Sequence, residues 1–187
     1  MIELAKALAQ HPVIASVRSM DAVARAAESP VAAVFLLGGS IFDFKEMVRR
    51  AHDGGKYAFL HIDLADGLGH DEAAVEWCSR ELEADGLIST RPQLIRKASE
   101  LGMITIQRLF LMDSSSFAHG QRLLKNTPPD MAEVLPGIAP KGVRQLCQAL
   151  NKPVIAGGMI TERSEILEAL DAGALAVSVS DERLWRL

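Results

Sequence analysis

The last third of the chain contains Pro153-Val154-Ile155-Ala156-Gly157-Gly158-Met159-Ile160 and, after a helical run, Ala172-Gly173-Ala174-Leu175-Ala176-Val177-Ser178-Val179-Ser180. This order of strand, glycine pair, helix and strand with a small polar end is typical of the last two units of a phosphate-binding (β/α)₈ barrel. Glycines let backbone N–H groups approach an anion, and the following helix N-terminus adds a positive dipole end. The stretch predicts a phosphate site at Gly157, Gly158, Ser178 and Ser180. The alternative is that the glycines only form a tight turn and the serines only fill the mouth.

The rest of the chain repeats one unit, a short apolar run followed by a turn and an amphipathic helix. Eight such runs are present: Val13–Val17, Ala33–Gly38, Tyr57–Asp63, Gly86–Thr90, Met103–Phe110, Met131–Gly137, Pro153–Ile160 and Ala174–Ser180. Strict alternation of strand and helix favours a parallel sheet, and eight units close it into a (β/α)₈ barrel. The chain is short for this fold, so we expect minimal loops and one degenerate helix. A seven-unit or doubly wound sheet is the alternative.

Length and composition limit the class of protein. With 187 residues, 49% of them hydrophobic, the chain fits a single globular domain that we predict to span residues 1–187. A net charge of −4 provides no overall basic field for nucleic acid. The start mixes charged and apolar residues unlike a signal peptide, and no run reaches the length of a membrane span. We therefore expect a cytoplasmic protein with two reduced cysteines, Cys78 and Cys147.

Alternation along the strands predicts which polar side chains reach the open end of the barrel. His61 and Asp63 share a face of the third strand, and the same count places Arg18, Thr90 and Glu133 at the mouth. It also places Ser16, Thr105 and Gln107 there, whereas Arg108 has the opposite parity to Gln107 and needs a twist or bulge to reach the mouth. These charged residues either pair with each other in a barrel core or bind a ligand. Because a desolvated ion pair adds little net stability, we favour a ligand.

Other chemistries find less support in the sequence. The loop from Asp66 to Glu72 is rich in metal-ligand types but lacks a known spacing, so we predict no metal site and assign Asp71 and Glu72 to a helix start. No lysine is placed at a strand end for Schiff-base chemistry, and no nucleophile elbow or dinucleotide fingerprint occurs. We therefore predict no catalytic residue and no cofactor. Proton-transfer catalysis by His61, Asp63 or Glu133 stays open.

Several motifs together resemble a known family. They are His61-Ile62-Asp63-Leu64, Gly86-Leu87-Ile88-Ser89-Thr90-Arg91, Thr105-Ile106-Gln107-Arg108-Leu109-Phe110, Glu133-Val134-Leu135-Pro136-Gly137 and Ala156-Gly157-Gly158-Met159-Ile160. In this order, from about His11 to the C-terminus, they resemble the glycerol-3-phosphate-responsive antiterminators. The resemblance implies a cytoplasmic regulator that binds glycerol 3-phosphate and then an mRNA leader of glycerol-utilisation genes. It places the phosphate at Gly157, Gly158 and the strand end from Ser178 to Ser180, and puts Thr90, Arg108, His61, Asp63 and Glu133 around the glycerol moiety.

Three functions are thus open: an RNA-binding regulator gated by glycerol 3-phosphate, a small enzyme acting on a phosphorylated metabolite, and a sensor acting on a protein partner. No RNA-binding signature is visible in the sequence, which contains only nine aromatic residues. The basic pairs Arg49-Arg50, Arg96-Lys97 and Arg122 with Lys125 lie on predicted helices, where a solvated outer face is the default interpretation. The oligomeric state is left open.

Overall fold

A closed barrel of eight parallel strands forms the centre of this computed structural model, which describes residues 1–186. The strands are β1 (Val13–Val17), β2 (Ala33–Leu36), β3 (Tyr57–His61), β4 (Gly86–Ser89), β5 (Ile104–Phe110), β6 (Met131–Leu135), β7 (Val154–Gly157) and β8 (Ala176–Val179). Each strand pairs with the next, and β8 closes on β1. The predicted (β/α)₈ barrel is confirmed. The predicted single domain ends at Leu187, which lies outside the described residues, and that boundary stays a prediction.

Eight α-helices accompany the strands in this part of the chain. They are α1 (Ile2–Gln10), α2 (Met20–Ala27), α3 (Phe44–Asp53), α4 (Glu72–Glu81), α5 (Pro92–Glu100), α6 (Ser114–Asn126), α7 (Pro140–Ala149) and α8 (Arg163–Asp171). Helix α1 precedes the first strand, and within residues 1–186 β8 is followed by a 3₁₀ turn, Glu182–Leu184.

Local capping explains where several helices begin and end. The Asp71 side chain accepts a hydrogen bond of 2.9 Å from Ala74 N at the start of α4, which confirms the predicted helix start. Helix α8 follows its N-cap residue Glu162, which forms a capping box with Glu165. Gly102 follows α5 with a φ of +78°, a conformation that glycine adopts without strain.

The core has two layers. Alternate strand residues point into the barrel and form an interior cluster of nine strand side chains: Ile14, Ala33, Phe35, Phe59, Ile88, Ile106, Met131, Ile155 and Ala176. The intervening strand residues pack against the surrounding helices in a larger cluster. This is the alternation expected of a barrel wall.

Helix α1 closes the N-terminal end of the barrel. Its side chains Leu4 and Leu8 are one turn apart, are each 1% exposed, and belong to the interior cluster rather than to the outer one. Only His11 and Pro12 separate α1 from β1, so the helix lies at the end where the strands begin. The opposite end, where the strands finish, is left for a site.

Side-chain parity on β5 differs from the prediction. Ile104 and Ile106 join the interior cluster, so Arg108 points into the barrel by ordinary alternation, without a bulge. Thr105 and Gln107, predicted at the mouth, lie on the other face of the strand. They are buried there because Thr105 N and Oγ1 donate to Asp130 over 2.9 and 3.0 Å, and Gln107 Nε2 donates to Ser89 O over 3.0 Å. The prediction that Thr105 and Gln107 reach the mouth is therefore wrong. Local hydrogen bonds satisfy Thr105 and the Gln107 amide nitrogen, whereas Gln107 Oε1 has no partner within residues 1–186.

Because α1 closes the N-terminal end of the barrel, we expect two side-chain truncations in this helix to have unequal effects on stability. Leu8→Ala should lower the free energy of unfolding by roughly 2–5 kcal/mol, because it leaves a cavity in the interior cluster. Ile2, which is 73% exposed in the same helix, is the control, and Ile2→Ala should change stability by about 0.5 kcal/mol or less. Urea unfolding of both variants measures the difference. Equal losses would show that α1 does not close the barrel.

Candidate functional site

A cavity of about 170 Å³ opens at the end of the barrel where the strands finish. Its polar wall is Ser16, Arg18, Arg108, Glu133, Ser178 and Ser180, and the remainder is Leu37, Leu135, Gly158, Met159, Ile160 and Val179. Six of the predicted site residues therefore meet in one cavity: Arg18, Arg108, Glu133, Gly158, Ser178 and Ser180. The strands that supply them are far apart in sequence but meet through closure of the barrel.

Glu133 organises the floor of this cavity. Its carboxylate, 1% exposed, accepts a hydrogen bond of 2.6 Å from Arg108 Nε and another of 2.7 Å from Ser178 Oγ. Arg108 and Glu133 are direct partners in the register of β5 with β6. One buried carboxylate therefore joins three strands. Removing one partner of such a pair typically costs roughly 3–5 kcal/mol, because the other charge is left uncompensated.

The charges of the cavity favour an anion. Arg18 and Arg108 line it together with one carboxylate, that of Glu133. Because Arg108 bonds Glu133 through Nε, its two Nη atoms remain for another partner. Arg18 lies at the exposed rim, where its Nη1 donates to Leu37 O over 3.3 Å. The cavity thus carries one positive charge in excess.

The glycine pair has a structural role in addition to the predicted phosphate binding. A Cβ at Gly157 would collide with Ser178 Oγ and lie 2.7 Å from Glu133 Oε1, so this position allows the buried network to form. Gly158 and Met159 both have positive φ, +80° and +64°, and line the cavity. A Cβ at Gly158 would also lie 2.9 Å from Leu135 Cδ2. Gly157 itself does not line the cavity, and its contact with a phosphate stays a prediction.

Asp63 and Thr90 form a separate cluster beside the cavity. Asp63 lies in a 3₁₀ turn just after β3, where its carboxylate accepts hydrogen bonds from Thr90 N over 2.6 Å and Thr90 Oγ1 over 2.8 Å. Ser89 Oγ donates to the same carboxylate over 2.9 Å. Burial raises the pKa of Asp63, but the hydrogen bonds from Thr90 and Ser89 outweigh it and hold the pKa below its usual value. Asp63 therefore anchors the chain after β4 in an ionised state.

His61 is a buried imidazole without a partner. It is 2% exposed, and within residues 1–186 neither ring nitrogen has a hydrogen bond. Asp63 Oδ2 is 4.0 Å from Nδ1, which is too far for one. Burial lowers the pKa of His61 to about 4, with the positive charge of Arg108 as a further cause. His61 does not line the cavity. A buried polar group left unpaired costs about 1–3 kcal/mol, so the contact of this ring with a ligand stays a prediction.

Sequence reasoning missed the apolar part of the wall. Leu37 and Leu135 have the same parity as Phe35 and Glu133, so alternation, applied to apolar residues as well, would have found them. Met159 is different, because its place depends on a left-handed backbone that non-glycine residues rarely adopt.

Metal and thiol chemistry find no support in the part of the chain that the structure describes. No three His, Cys, Asp or Glu side chains there are grouped to hold a metal ion. Cys78 and Cys147 are free, and burial raises the pKa of the Cys78 thiol to about 12. None of the helices in residues 1–186 is long and apolar enough to cross a membrane.

The fold and the site define a (β/α)₈ barrel with a small, positively charged cavity at its open end. Residues 13–185 match the family described as glycerol-3-phosphate responsive antiterminators, and the chain belongs to this family.

Three relatives are similar to this chain over most of its length. The crystal structure of the glycerol uptake operon antiterminator regulatory protein from Listeria monocytogenes is 36% identical, covers 92% of this chain and 94% of its own, and superposes with a TM-score of 0.88. A glycerol uptake operon antiterminator-related protein from Thermotoga maritima is 31% identical over 94% of this chain and 98% of its own, with a TM-score of 0.83. The Escherichia coli K12 protein YgcP, described as uncharacterized, is 33% identical over 96% of this chain and 94% of its own.

More distant barrels share the fold alone. One is the deoxyribose phosphate aldolase from Aeropyrum pernix, which is 15% identical over 98% of this chain and 90% of its own, with a TM-score of 0.71.

The depressed pKa of His61 predicts a specific loss of stability in acid. Between pH 6.5 and about 4 the unfolded chain binds a proton on this ring that the folded protein does not bind, so the free energy of unfolding falls as the pH falls through this window. The contribution amounts to about 3 kcal/mol at most. His61→Gln removes the titrating group, and urea unfolding across the window should show a shallower loss than in the wild type.

His11→Gln is the matched control, because His11 is exposed and its removal should leave the pH dependence of the wild type. If His61→Gln and wild type lose stability in parallel, the folded protein must already accommodate a charged ring at position 61.

Proposed function

We propose that this protein binds glycerol 3-phosphate in the mouth cavity and that the bound form binds an mRNA leader, preventing premature termination of transcription in the cytoplasm. The observation that carries the proposal is the small cavity with an excess positive charge in a member of this family. Its volume of about 170 Å³ is well below the ~300–1,000 Å³ of pockets for drug-sized ligands, which favours a small metabolite.

The polar wall offers each part of this ligand a partner. In the proposed complex the phosphate lies against the Arg108 Nη atoms and Arg18, with Ser178, Ser180 and the backbone from Gly157 to Ile160 around it. The glycerol hydroxyls then lie toward Glu133, a hydrogen-bond acceptor. His61 does not line the cavity, and in the proposed complex its neutral ring offers the ligand one donor and one acceptor. Asp63 and Thr90 act on the ligand indirectly, by holding the chain after β4. No further cofactor is needed.

A regulatory role fits this wall better than catalysis. None of the described residues lining the cavity is a lysine or a cysteine, so the wall offers no amine for a Schiff base and no thiol nucleophile. The acidic group of the cavity, Glu133, is already engaged by Arg108 and Ser178. The aldolase barrels share the fold with this chain, and fold alone does not carry an activity.

The first test of the proposal is calorimetric titration with glycerol 3-phosphate and with glycerol. We expect the phosphate ester to bind and glycerol to bind far more weakly, because charge-assisted hydrogen bonds are roughly twice as strong as neutral ones. Ser180→Asp places a negative charge at the exposed edge of the cavity and should weaken glycerol 3-phosphate binding roughly tenfold or more.

Asn151→Asp is the matched control, since it adds the same charge at an exposed turn before β7, at the other end of the barrel. Equal affinities in the two variants would place the anion outside this cavity. If the purified wild-type protein consumes glycerol 3-phosphate, the protein is an enzyme and the proposed regulatory function is wrong.

The second test concerns coupling between ligand and RNA. A ligand activates RNA binding only if it binds more tightly to the RNA-competent state, and such coupling is typically worth roughly 5–150-fold in affinity. Leader RNA of the source organism's glycerol-utilisation genes should therefore tighten glycerol 3-phosphate binding by the same factor by which the ligand tightens RNA binding.

Both halves of the cycle can be measured, by calorimetry for the ligand and fluorescence anisotropy for the RNA. Added salt should weaken the RNA step through counterion release. An RNA affinity that is the same with and without ligand would contradict the proposal. A sensor that acts on a protein partner would then be the alternative.

A further inference from the structure

A second and wider cavity of about 500 Å³ lies beside the mouth, between the end of β5 and helix α6. We call it the α6 groove and define it by Arg108, Phe110, Met112, His119 and Arg122. Arg108 lines both the α6 groove and the mouth cavity, so one guanidinium separates the two. Neither the family assignment nor the mouth cavity explains the α6 groove.

The α6 groove exposes large apolar side chains beside positive charge. Phe110 is 51% exposed and Met112 is 85% exposed, although both are apolar. Arg122 and His119 are exposed on the facing side of α6. Asp113 also lines the groove, but its carboxylate accepts a hydrogen bond of 2.7 Å from Ser116 N and caps the helix. An exposed aromatic ring with a neighbouring guanidinium suits an unpaired nucleobase and its phosphate.

Arg122 is distinguished by its place rather than by its charge alone. Within residues 1–186 it has no ion-pair partner, and the same holds for Arg50 on α3, whereas Arg49 is paired with Glu46 and Asp53. Arg122 lines a groove with an exposed aromatic ring, and Arg50 does not. In a chain with a net charge of −4, RNA must use a local patch, and the α6 groove provides one.

We propose that the α6 groove binds a single-stranded segment of the leader RNA, with a base stacked on Phe110 and a phosphate on Arg122. This inference rests on the proposed function and assigns its RNA surface. Phe110 lies two residues beyond Arg108 on β5, on the same face of the strand. An anion bound to the Arg108 Nη atoms therefore fixes the Arg108 side chain, which lines both the mouth cavity and the α6 groove. Ligand binding in the cavity thereby acts directly on the RNA surface.

The stacking contact is tested by substitutions at Phe110. With saturating glycerol 3-phosphate, Phe110→Ala should weaken binding of fluorescein-labelled leader RNA by roughly 5–150-fold, the effect of losing one stacked base. Phe110→Trp should retain the affinity, since it keeps a π-face. Leu167→Ala is the control, because Leu167 is equally exposed, at 51%, but lies on α8. Glycerol 3-phosphate binding, measured by calorimetry, should be the same in all three variants.

The phosphate contact is tested by salt dependence. Arg122→Gln should make the slope of the logarithm of the association constant against the logarithm of salt concentration shallower by about 0.7, the value for one phosphate contact on a single strand. Arg50→Gln removes the same charge from an exposed position on α3 and should leave the slope unchanged.

The outcomes separate the inference from the proposed function. If the wild type binds leader RNA with ligand and Phe110→Ala and Arg122→Gln bind it equally well, the RNA surface lies elsewhere and this inference alone is wrong. If the wild type binds no leader RNA, the proposed function fails and this inference fails with it. If light scattering shows that Phe110→Ala converts an oligomer to a monomer, a second copy of the chain covers the groove and the inference is again overturned.

Discussion

The buried carboxylate of Glu133 is the interaction on which the open end of this barrel depends. It lies inside a closed sheet, where an unpaired charge would be strongly unfavourable, so it requires donors from other strands. Arg108 and Ser178 provide them, and Gly157 leaves the space in which they meet. The positions of the guanidinium, the serine hydroxyl and the glycine turn all follow from satisfying this one group.

Two side chains near Glu133 keep hydrogen-bonding groups that the protein does not use. Arg108 uses Nε for the carboxylate, which leaves its Nη atoms free for a partner in the cavity. His61 is held neutral by burial and has no hydrogen bond within the described residues. Neither arrangement maximises stability, since a buried ion pair often adds nothing over apolar packing and an unpaired imidazole is unfavourable. Both are expected where a fold retains polar groups for a ligand.

The two ends of the barrel differ. Helix α1 closes the N-terminal end with Leu4 and Leu8, whereas the ends of the strands carry the mouth cavity and the α6 groove. Two cavities at one end that share the Arg108 side chain need no long path between them. A short route of this kind suits a regulator in which occupancy of one site must alter the other.

The sequence by itself determined the number of strands and their approximate places, because these depend on local periodicity and turn chemistry. The resemblance carried by its motifs determined the family. Only the tertiary structure decided which face of β5 points into the barrel. Alternation sorts the residues of a strand into two faces, but it does not tell which of the two faces points inward. It also decided that Asp63 anchors the chain at Thr90 outside the cavity and that Ser178 meets Glu133. Such contacts join residues distant in sequence, and closure of the barrel brings them within hydrogen-bonding distance.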